Sequence, residues 1–304
     1  VDIVIHNFRP GVMDRLNLGA EKLQSLNPRL IYAAISGFGT EGPLRDAPAY
    51  DPVIQAHAGF TVSQGADQPV FVRNLMCDKI TAYTACQAVT AALYQREKTG
   101  TGHRIDLSML DAGLFFVFPD AFMNHTLLDE DVSHQPLLAD LIYDVTLTSD
   151  GGLTISAGTD KQRAGVLAAI DREDLLNDER FNSLEGLIAN MVEYRAILDE
   201  AFSQFSTGEL LQRLNEQDVP CARCHNYDEV LEQEQLVAND TIVHREHPLL
   251  GNMRIIKSPA KFDGQRLSPG HHSPDHGEHT REVLQEFGVD ATHIETLMAA
   301  GTIS

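Results

Sequence analysis

Asp78 is the residue best placed by its neighbours to react. It ends the run Val70-Phe71-Val72-Arg73-Asn74-Leu75-Met76-Cys77 and stands immediately before an alanine-rich segment that reads as a helix over 79–97. A carboxylate there accepts hydrogen bonds from the first free N–H groups and faces the positive end of the helix dipole. That describes an ordinary N-cap. The same geometry also suits a nucleophile that attacks a thioester while nearby N–H groups hold the oxyanion. Tyr50-Asp51-Pro52 reads as the start of the preceding helix, over 51–58, with Asp51 as cap and Pro52 in the first turn, where a missing N–H costs nothing. Tyr50 then lies just outside the helix at its ligand-facing end, or packs as a half-buried aromatic against the loop. Asn7-Phe8-Arg9-Pro10-Gly11 is a polar, proline-stopped turn after an apolar strand. Gly37 and Gly39 flank Phe38 in a loop able to come close to a ligand, but the third glycine and the ribose-binding acid of a dinucleotide fingerprint are absent.

Two further clusters carry less. Cys221-Ala222-Arg223-Cys224-His225 matches the C-x-x-C-H pattern of covalent haem attachment. Haem would also require export, a distal axial ligand and a small helical domain, none of which has support, so the reading is rejected. Redox or zinc use wants a second pair, and Cys77 and Cys86 are far away in sequence. The tract 270–279 holds four histidines, yet its spacing fits neither a zinc finger nor a helical H-E-x-x-H site. It reads as an exposed loop, and no metal site is predicted. Neither a Gly-x-Ser-x-Gly elbow nor a P-loop occurs.

The elements that must position these residues follow a βαβ pattern. Residues 1–6 read as a buried strand, 12–26 as one or two short helices ending at Asn27-Pro28, and 30–35 as a second β-branched run. Residues 36–49 are loop, 103–107 a short strand and 109–125 an apolar helix. Strand, loop, helix, strand at this spacing implies a parallel sheet, and loops after such strands are where ligands bind. Residues 126–140 suit a linker. Segments 141–147 and 153–157 alternate about Ser149-Asp150-Gly151-Gly152 as a hairpin. From 160 to 235 the pattern is helical and charged, with a helix-like stretch over 227–236. Residues 253–263 read as a strand, 264–277 as a loop and 279–287 as a helix.

Composition bounds the partners. The chain has 304 residues, and 23 Lys plus Arg against 44 Asp plus Glu give a formal charge of -21. That excess argues against nucleic acid and anionic membrane as partners, while leaving room for an anionic small ligand held by a local cation cluster. Arg9, Arg15, Arg29, Arg45 and Arg73 all fall in the first quarter. No apolar run approaches the roughly 18 residues of a membrane span. Four cysteines make no disulfide framework, and a reducing, cytoplasmic compartment is the expectation.

Asn7 to Gly11, Asn27-Pro28-Arg29-Leu30-Ile31-Tyr32, Ser36-Gly37-Phe38-Gly39, Tyr50-Asp51, Asp78 and Arg96-Glu97-Lys98-Thr99-Gly100-Thr101-Gly102 together resemble one enzyme family, the class III coenzyme A transferases of the CaiB/BaiF type. The resemblance is dense over 1–112, returns at 219–222, 247–262 and 277–288, and is thin between 126 and 218. It implies an α/β fold, with a large Rossmann-like parallel-sheet domain and a smaller α+β domain in an interlocked homodimer. The implied division is 1–125 large domain, 126–140 linker, 141–235 small domain, and 236–304 return to the large domain. It further implies an acyl-CoA:carboxylate CoA-transferase with acyl-CoA and a small carboxylic acid as partners. Asp78 would attack the thioester to give a mixed anhydride and then an aspartyl-CoA thioester. The family's CoA contacts carry over to Asn7, Phe8, Arg9, Arg15, Ala49, Tyr50 and Asp51. No permanently bound cofactor or metal is implied; the CoA thioester is substrate.

One branch of the family racemises 2-methylacyl-CoA esters with a histidine at the position of Tyr50. Tyrosine there favours transfer, because a phenol of pKa about 10 is a poor base at neutral pH, and His57 lies about two helical turns away. A non-catalytic relative is the other alternative. The pair Thr81-Ala82 stands where the family usually has Thr-Gly, and the glycine-rich loop of oxalate-using members has no counterpart between 145 and 165, which weakens a formyl/oxalyl assignment. The chain starts at Val1 already inside a strand, as if roughly the first quarter of a family member were missing.

Overall fold

The computed structural model describes residues 1–64, 68–129, 131–134, 143–267 and 270–304. They divide into two compact units, Val1–Arg223 and Cys224–Ser304. The division falls inside the 141–235 span expected for a small domain. Residues 130 and 135–140 of the expected linker, and 141–142 of the following strand, lie outside the described residues.

The first unit opens with β1 (Ile3–His6), which the polar turn at Asn7 and the proline at 10 bring to an end. Two short helices, α1 (Val12–Arg15) and α2 (Ala20–Leu26), lead to Asn27-Pro28, where the restricted residue before proline ends the second helix. Then come β2 (Ile31–Ser36), α3 (Asp51–Ala58), α4 (Met76–Thr99) and β3 (Arg104–Ser108). β2 pairs in parallel with both other strands, in the order β1-β2-β3, with His6 opposite Ala34 and Ser36 opposite Ser108. All three strands therefore end at the same edge of the sheet, the position at which open parallel sheets bind ligands. The expected α/β fold with a parallel sheet is present. β1 itself is less buried than its composition suggests: Ile5 is 58% exposed.

α5 (Met109–Ala121) follows β3 directly, its first turn capped by Ser108, which accepts the Asp111 N–H. A short α6 (Met123–Thr126) extends it. The core beneath the site is made where α3, α4 and α5 meet, from Ile54, Ala58, Phe60, Cys77, Ile80, Ala112 and Val117. Small residues at 58, 77 and 112 let these helices come close, so the start of α4 rests on the start of α3.

The remainder of this unit is a separate packing problem. β4 (Thr146–Leu147), β5 (Gly152–Ile155) and β6 (Cys221–Arg223) form an antiparallel sheet in that order, and the predicted hairpin about 149–152 is present. α7 (Asp160–Ala169), α8 (Leu184–Ala189), α9 (Met191–Phe202) and α10 (Thr207–Glu216) accompany it. Leu153, Leu167, Leu175, Phe181, Leu210 and Leu214 form its fully buried centre.

In the second unit the helix expected over 227–236 is two short ones, α11 (Tyr227–Leu231) and α12 (Glu234–Ala238). β7 (Ile242–His247) and β8 (Gly251–Ile256) make an antiparallel hairpin. The single strand expected over 253–263 stops at Ile256, because Pro259 has no N–H for a ladder. A short pair follows, β9 (Lys261–Phe262) and β10 (Gln265–Arg266), then α13 (Thr280–Glu286) and α14 (Ala291–Ala299). Among the described residues no helix is long and apolar enough to cross a membrane.

Candidate active site

A cleft of about 460 Å³ opens at the carboxyl ends of the three parallel strands. Asn7, Arg9 and Pro10 reach it from the turn after β1. Ile35, Ser36 and Gly37 enter from the end of β2, and Met109 from the start of α5. Ala49 and Tyr50 close one side, and Asp78 of α4 forms part of the wall. Gly37 explains how the 37–50 loop folds back this tightly. A Cβ on it would stand 2.2 Å from the Ala49 Cβ, so glycine admits a neighbouring loop here rather than a ligand.

Of the residues singled out from sequence, Asn7, Arg9, Ala49, Tyr50 and Asp78 come together around this cleft. Phe8 lines an adjoining hollow of about 140 Å³ with His6, Tyr32 and Arg45, and its ring stacks on His6 at 6.1 Å. Arg15 lines neither space; its guanidinium lies beside Gly11. Asp51 is behind the wall, only 2% exposed.

Helix α3 spans the expected 51–58 but is capped one residue earlier than the sequence reading placed its cap, and α4 starts three residues earlier than expected. Tyr50, not Asp51, is the N-cap of α3, and its carbonyl accepts from Val53 and Ile54 N–H. α4 begins at Met76 with Leu75 in the N-cap position. Asp78 is thus the third residue inside the helix, not its cap. Leucine has no acceptor to offer. The N–H of Asp78, which a cap side chain would normally take, instead donates to Asp51 Oδ2 at 3.0 Å. Gln55 completes the bracket. Its Nε2 donates to Asp51 Oδ1 at 2.6 Å and also approaches the carbonyls of Val72 and Asn74 at 3.1 and 3.0 Å. The loop entering α4 is therefore tied to α3 through one amide.

This arrangement leaves the Asp78 carboxylate without a hydrogen-bond or ion-pair partner among the described residues. Burial raises its pKa above the ordinary carboxylate range, and the negative charge of Asp51 raises it further. The adjacent Cys77 thiol is pushed up to about 12, by burial first and then by Asp51 and Asp78. It is buried and stays a thiol. Two cations face the same space. Arg9 has no ion-pair partner among the described residues, and Arg45 has only its neighbour Asp46 at 3.9 Å. In a chain of charge -21, this is a local positive wall.

The family model described as CoA-transferase family III matches residues 1–280. The chain belongs to that family. It is 30% identical over 309 residues to an acyl-CoA transferase of Fusarium pseudograminearum, covering 99% of this chain and 67% of the relative. It is 27% identical over 307 residues to the human succinyl-CoA:glutarate CoA-transferase, covering 99% of this chain and 70% of that one. The crystal structure of a CaiB/BaiF family protein from Brucella suis superposes with a TM-score of 0.79 at 28% identity, over 94% of this chain and 75% of the other. This class III CoA-transferase is an enzyme whose substrates are CoA thioesters.

Sequence reasoning missed two contributors to this candidate site. Arg45 was visible only as one of several early arginines. Gln55 lies four residues after Asp51, the spacing that places two side chains on one helix face, and that spacing was the available signal. The other candidate clusters bring no chemistry to the site. All four cysteines are free. His247 is buried, accepts the Leu249 and Leu250 N–H groups and meets His272 edge-on. No group of three or more His, Cys, Asp or Glu among the described residues is arranged to hold a metal ion.

Proposed function

We propose that this enzyme is an acyl-CoA:carboxylate CoA-transferase that works through a covalent aspartyl-CoA intermediate on Asp78. The carboxylate attacks the thioester carbonyl, the C–S bond breaks, and CoA thiolate leaves a mixed anhydride. The thiolate then attacks the aspartyl carbonyl of that anhydride, releasing the donor carboxylate and leaving CoA on Asp78 as a thioester. An incoming carboxylate reverses the sequence and departs as the new acyl-CoA. No net proton or electron is required. The observation that carries the reading is the free, exposed Asp78 carboxylate in the wall of the cleft, relieved of capping by Asp51. Arg9 and Arg45 supply positive charge for the phosphates of CoA, with Asn7, Ala49 and Tyr50 lining the approach.

A two-base racemisation has less support. No histidine lines the cleft among the described residues, and the His57 ring packs edge-on against Phe38. Support for a homodimer comes from the apolar surface of α5 and the segment after it, where Phe115 is 82% exposed and Phe116, Leu127 and Leu128 also face outward. Light scattering that returned a monomer mass at micromolar concentration would remove that part. Four free thiols suit a reducing, cytoplasmic setting.

The test is made on the full-length protein. It is incubated with a panel of acyl-CoA thioesters, succinyl-CoA among them, and its peptides are searched by mass spectrometry for CoA or a hydroxylamine-trapped adduct. The expected adduct sits on Asp78 and vanishes in Asp78→Asn. Transfer that survives in that variant sinks the reading.

A further inference from the structure

Asp51 resembles a CoA contact by sequence, yet its carboxylate is sealed beneath the cleft and both of its oxygens are occupied. Oδ2 accepts the N–H of Asp78, and Oδ1 accepts Gln55 Nε2. Nothing on a ligand can reach it without dismantling the start of α4. Gln55 is committed in the same way. Its Nε2 serves Asp51, Val72 and Asn74, while its buried Oε1 has no partner among the described residues. An amide held with an unsatisfied oxygen costs stability, and here it holds a carboxylate beside the reacting residue.

We propose that Asp51 is a positioning residue for the transfer reaction, holding the backbone of Asp78 so that the Asp78 carboxylate faces the cleft, with Gln55 as its tether. This inference rests on the reading of Asp78 as nucleophile. The mechanism is local. A helix whose own cap is leucine draws its third residue toward any acceptor within reach. With Asp51 accepting that N–H, the Asp78 side chain is spared the capping role and keeps its lone pairs for the substrate. The charge of Asp51 adds to burial in making the Asp78 carboxylate more basic, and a more basic carboxylate is the stronger nucleophile. The other charged or titratable groups around the pair are Cys77 and Lys79 on α4, Tyr50 before α3, Arg9 after β1, and Arg45 in the 37–50 loop. Lys79 is taken up by the side chain of Asn74, and Cys77 is held neutral.

The test compares Asp51→Asn and Asp51→Glu with the full-length parent, reading kcat and KM for acyl-CoA across pH. Asparagine lacks the charge and presents an N–H₂ where Gln55 needs an acceptor. The expected result is a fall in kcat of about 10- to 100-fold with KM for acyl-CoA within about threefold. The acid limb of kcat/KM moves to lower pH, because the repelling charge is gone, while the part due to burial remains. Glutamate restores part of kcat. A rise in KM with kcat unchanged would return Asp51 to the role of CoA contact. A fall in kcat that follows the folded fraction, with the acid limb unmoved, would reduce it to a structural acid; either outcome overturns the inference. Should Asp51→Asn fail to fold, Gln55→Met releases the tether and keeps its volume. Lower kcat at constant KM supports the inference there, and an unchanged kcat overturns it. Asp78→Asn is run in parallel. If it still transfers CoA, the nucleophile reading fails; if it is inactive while Asp51→Asn behaves as the parent, only the positioning role fails.

Discussion

Helix α7 finishes its own start. Thr159 Oγ1 accepts the Gln162 N–H at 3.2 Å, and the Gln162 side chain returns to the Thr159 N–H at 3.1 Å. Helix α4 does not. Leucine stands at its cap, and the acceptor comes from Asp51, 27 residues earlier in the chain. The surroundings differ in the same direction. Around α7 the centre is apolar and closed, from Leu153 to Val219. Around the start of α4 there are a buried carboxylate, an amide oxygen without a partner among the described residues and a carboxyl group whose pKa is shifted upward. Locally consistent sequence makes the first region a stable support. In the second, helix-start chemistry is diverted so that one carboxylate is left unsatisfied. Groups with such shifted pKa values cluster where chemistry is done.

The sharpest way to test this contrast is Asp78→Asn, which should lower CoA transfer by at least about 10³-fold, as expected when a nucleophile is removed. Its effect on stability should have the opposite sign. A carboxyl whose native pKa is raised holds its proton more tightly when folded. That stabilisation is present in acid and is lost as the pH rises through the native value, so at neutral pH the charged form is carried at a cost. Asparagine does not carry it. Thermal melts at neutral pH should place the variant no lower than the parent, and a clear drop would mean that Asp78 helps to hold the fold.

Leu210→Ala should do the reverse. Leu210 is fully buried in the closed centre around α7, and truncation there costs about 2–5 kcal/mol. Denaturant midpoints should fall accordingly, while KM for acyl-CoA at low temperature stays within about twofold, since no residue of that core lines the cleft. A large change in KM would show that the two regions are not energetically separate. Arg9→Ala is smaller again and acts on binding. Removing one charge-assisted contact to phosphate costs about 1.5–3 kcal/mol, read as KM raised roughly 10- to 100-fold with kcat nearly constant. Added salt should narrow the difference, because exposed charges are screened. An unchanged KM would make the positive wall at Arg9 and Arg45 incidental.

What the sequence disclosed divides along the same line. β-branched runs at 1–6 and 30–35, with proline and glycine between them, marked the parallel sheet, and the turn Ser149-Asp150-Gly151-Gly152 marked the hairpin after 147. The turn at Asn7 and the residues Tyr50 and Asp78 were found as candidates because each follows a strand or opens a helix, whereas Ala49 came only with the family resemblance. The burial of Asp51 was not legible. A local rule gives an aspartate before proline to its own helix, whereas here it serves a helix that chain folding brings beside it. The exact start of α4 was hidden for the same reason, since Leu75 is no cap by type and only the carboxylate from α3 makes it tolerable. Gly37 was read as room for a ligand, and the space is taken by Ala49, a contact between residues twelve apart that no local pattern encodes.

The smallest expected effect closes the comparison from the α7 side. Thr159→Ala removes one half of the reciprocal cap and leaves the Gln162 side chain holding the backbone N–H groups of residues 158 and 159. Loss of such a cap costs about 0.5–2 kcal/mol. Because α7 buries Val166 and Leu167 in the closed centre, the loss should appear as a lower unfolding midpoint with unchanged kcat, KM and acid limb. Asp51→Asn also disturbs a helix start, since an amide N–H₂ replaces one of the two accepting oxygens. If the two variants lost similar stability and only the one at 51 changed kcat and the acid limb, the cap of α4 would be distinguished from that of α7 by what it leaves free. Equal silence in the kinetics would mean that the long-range cap is only another way of starting a helix.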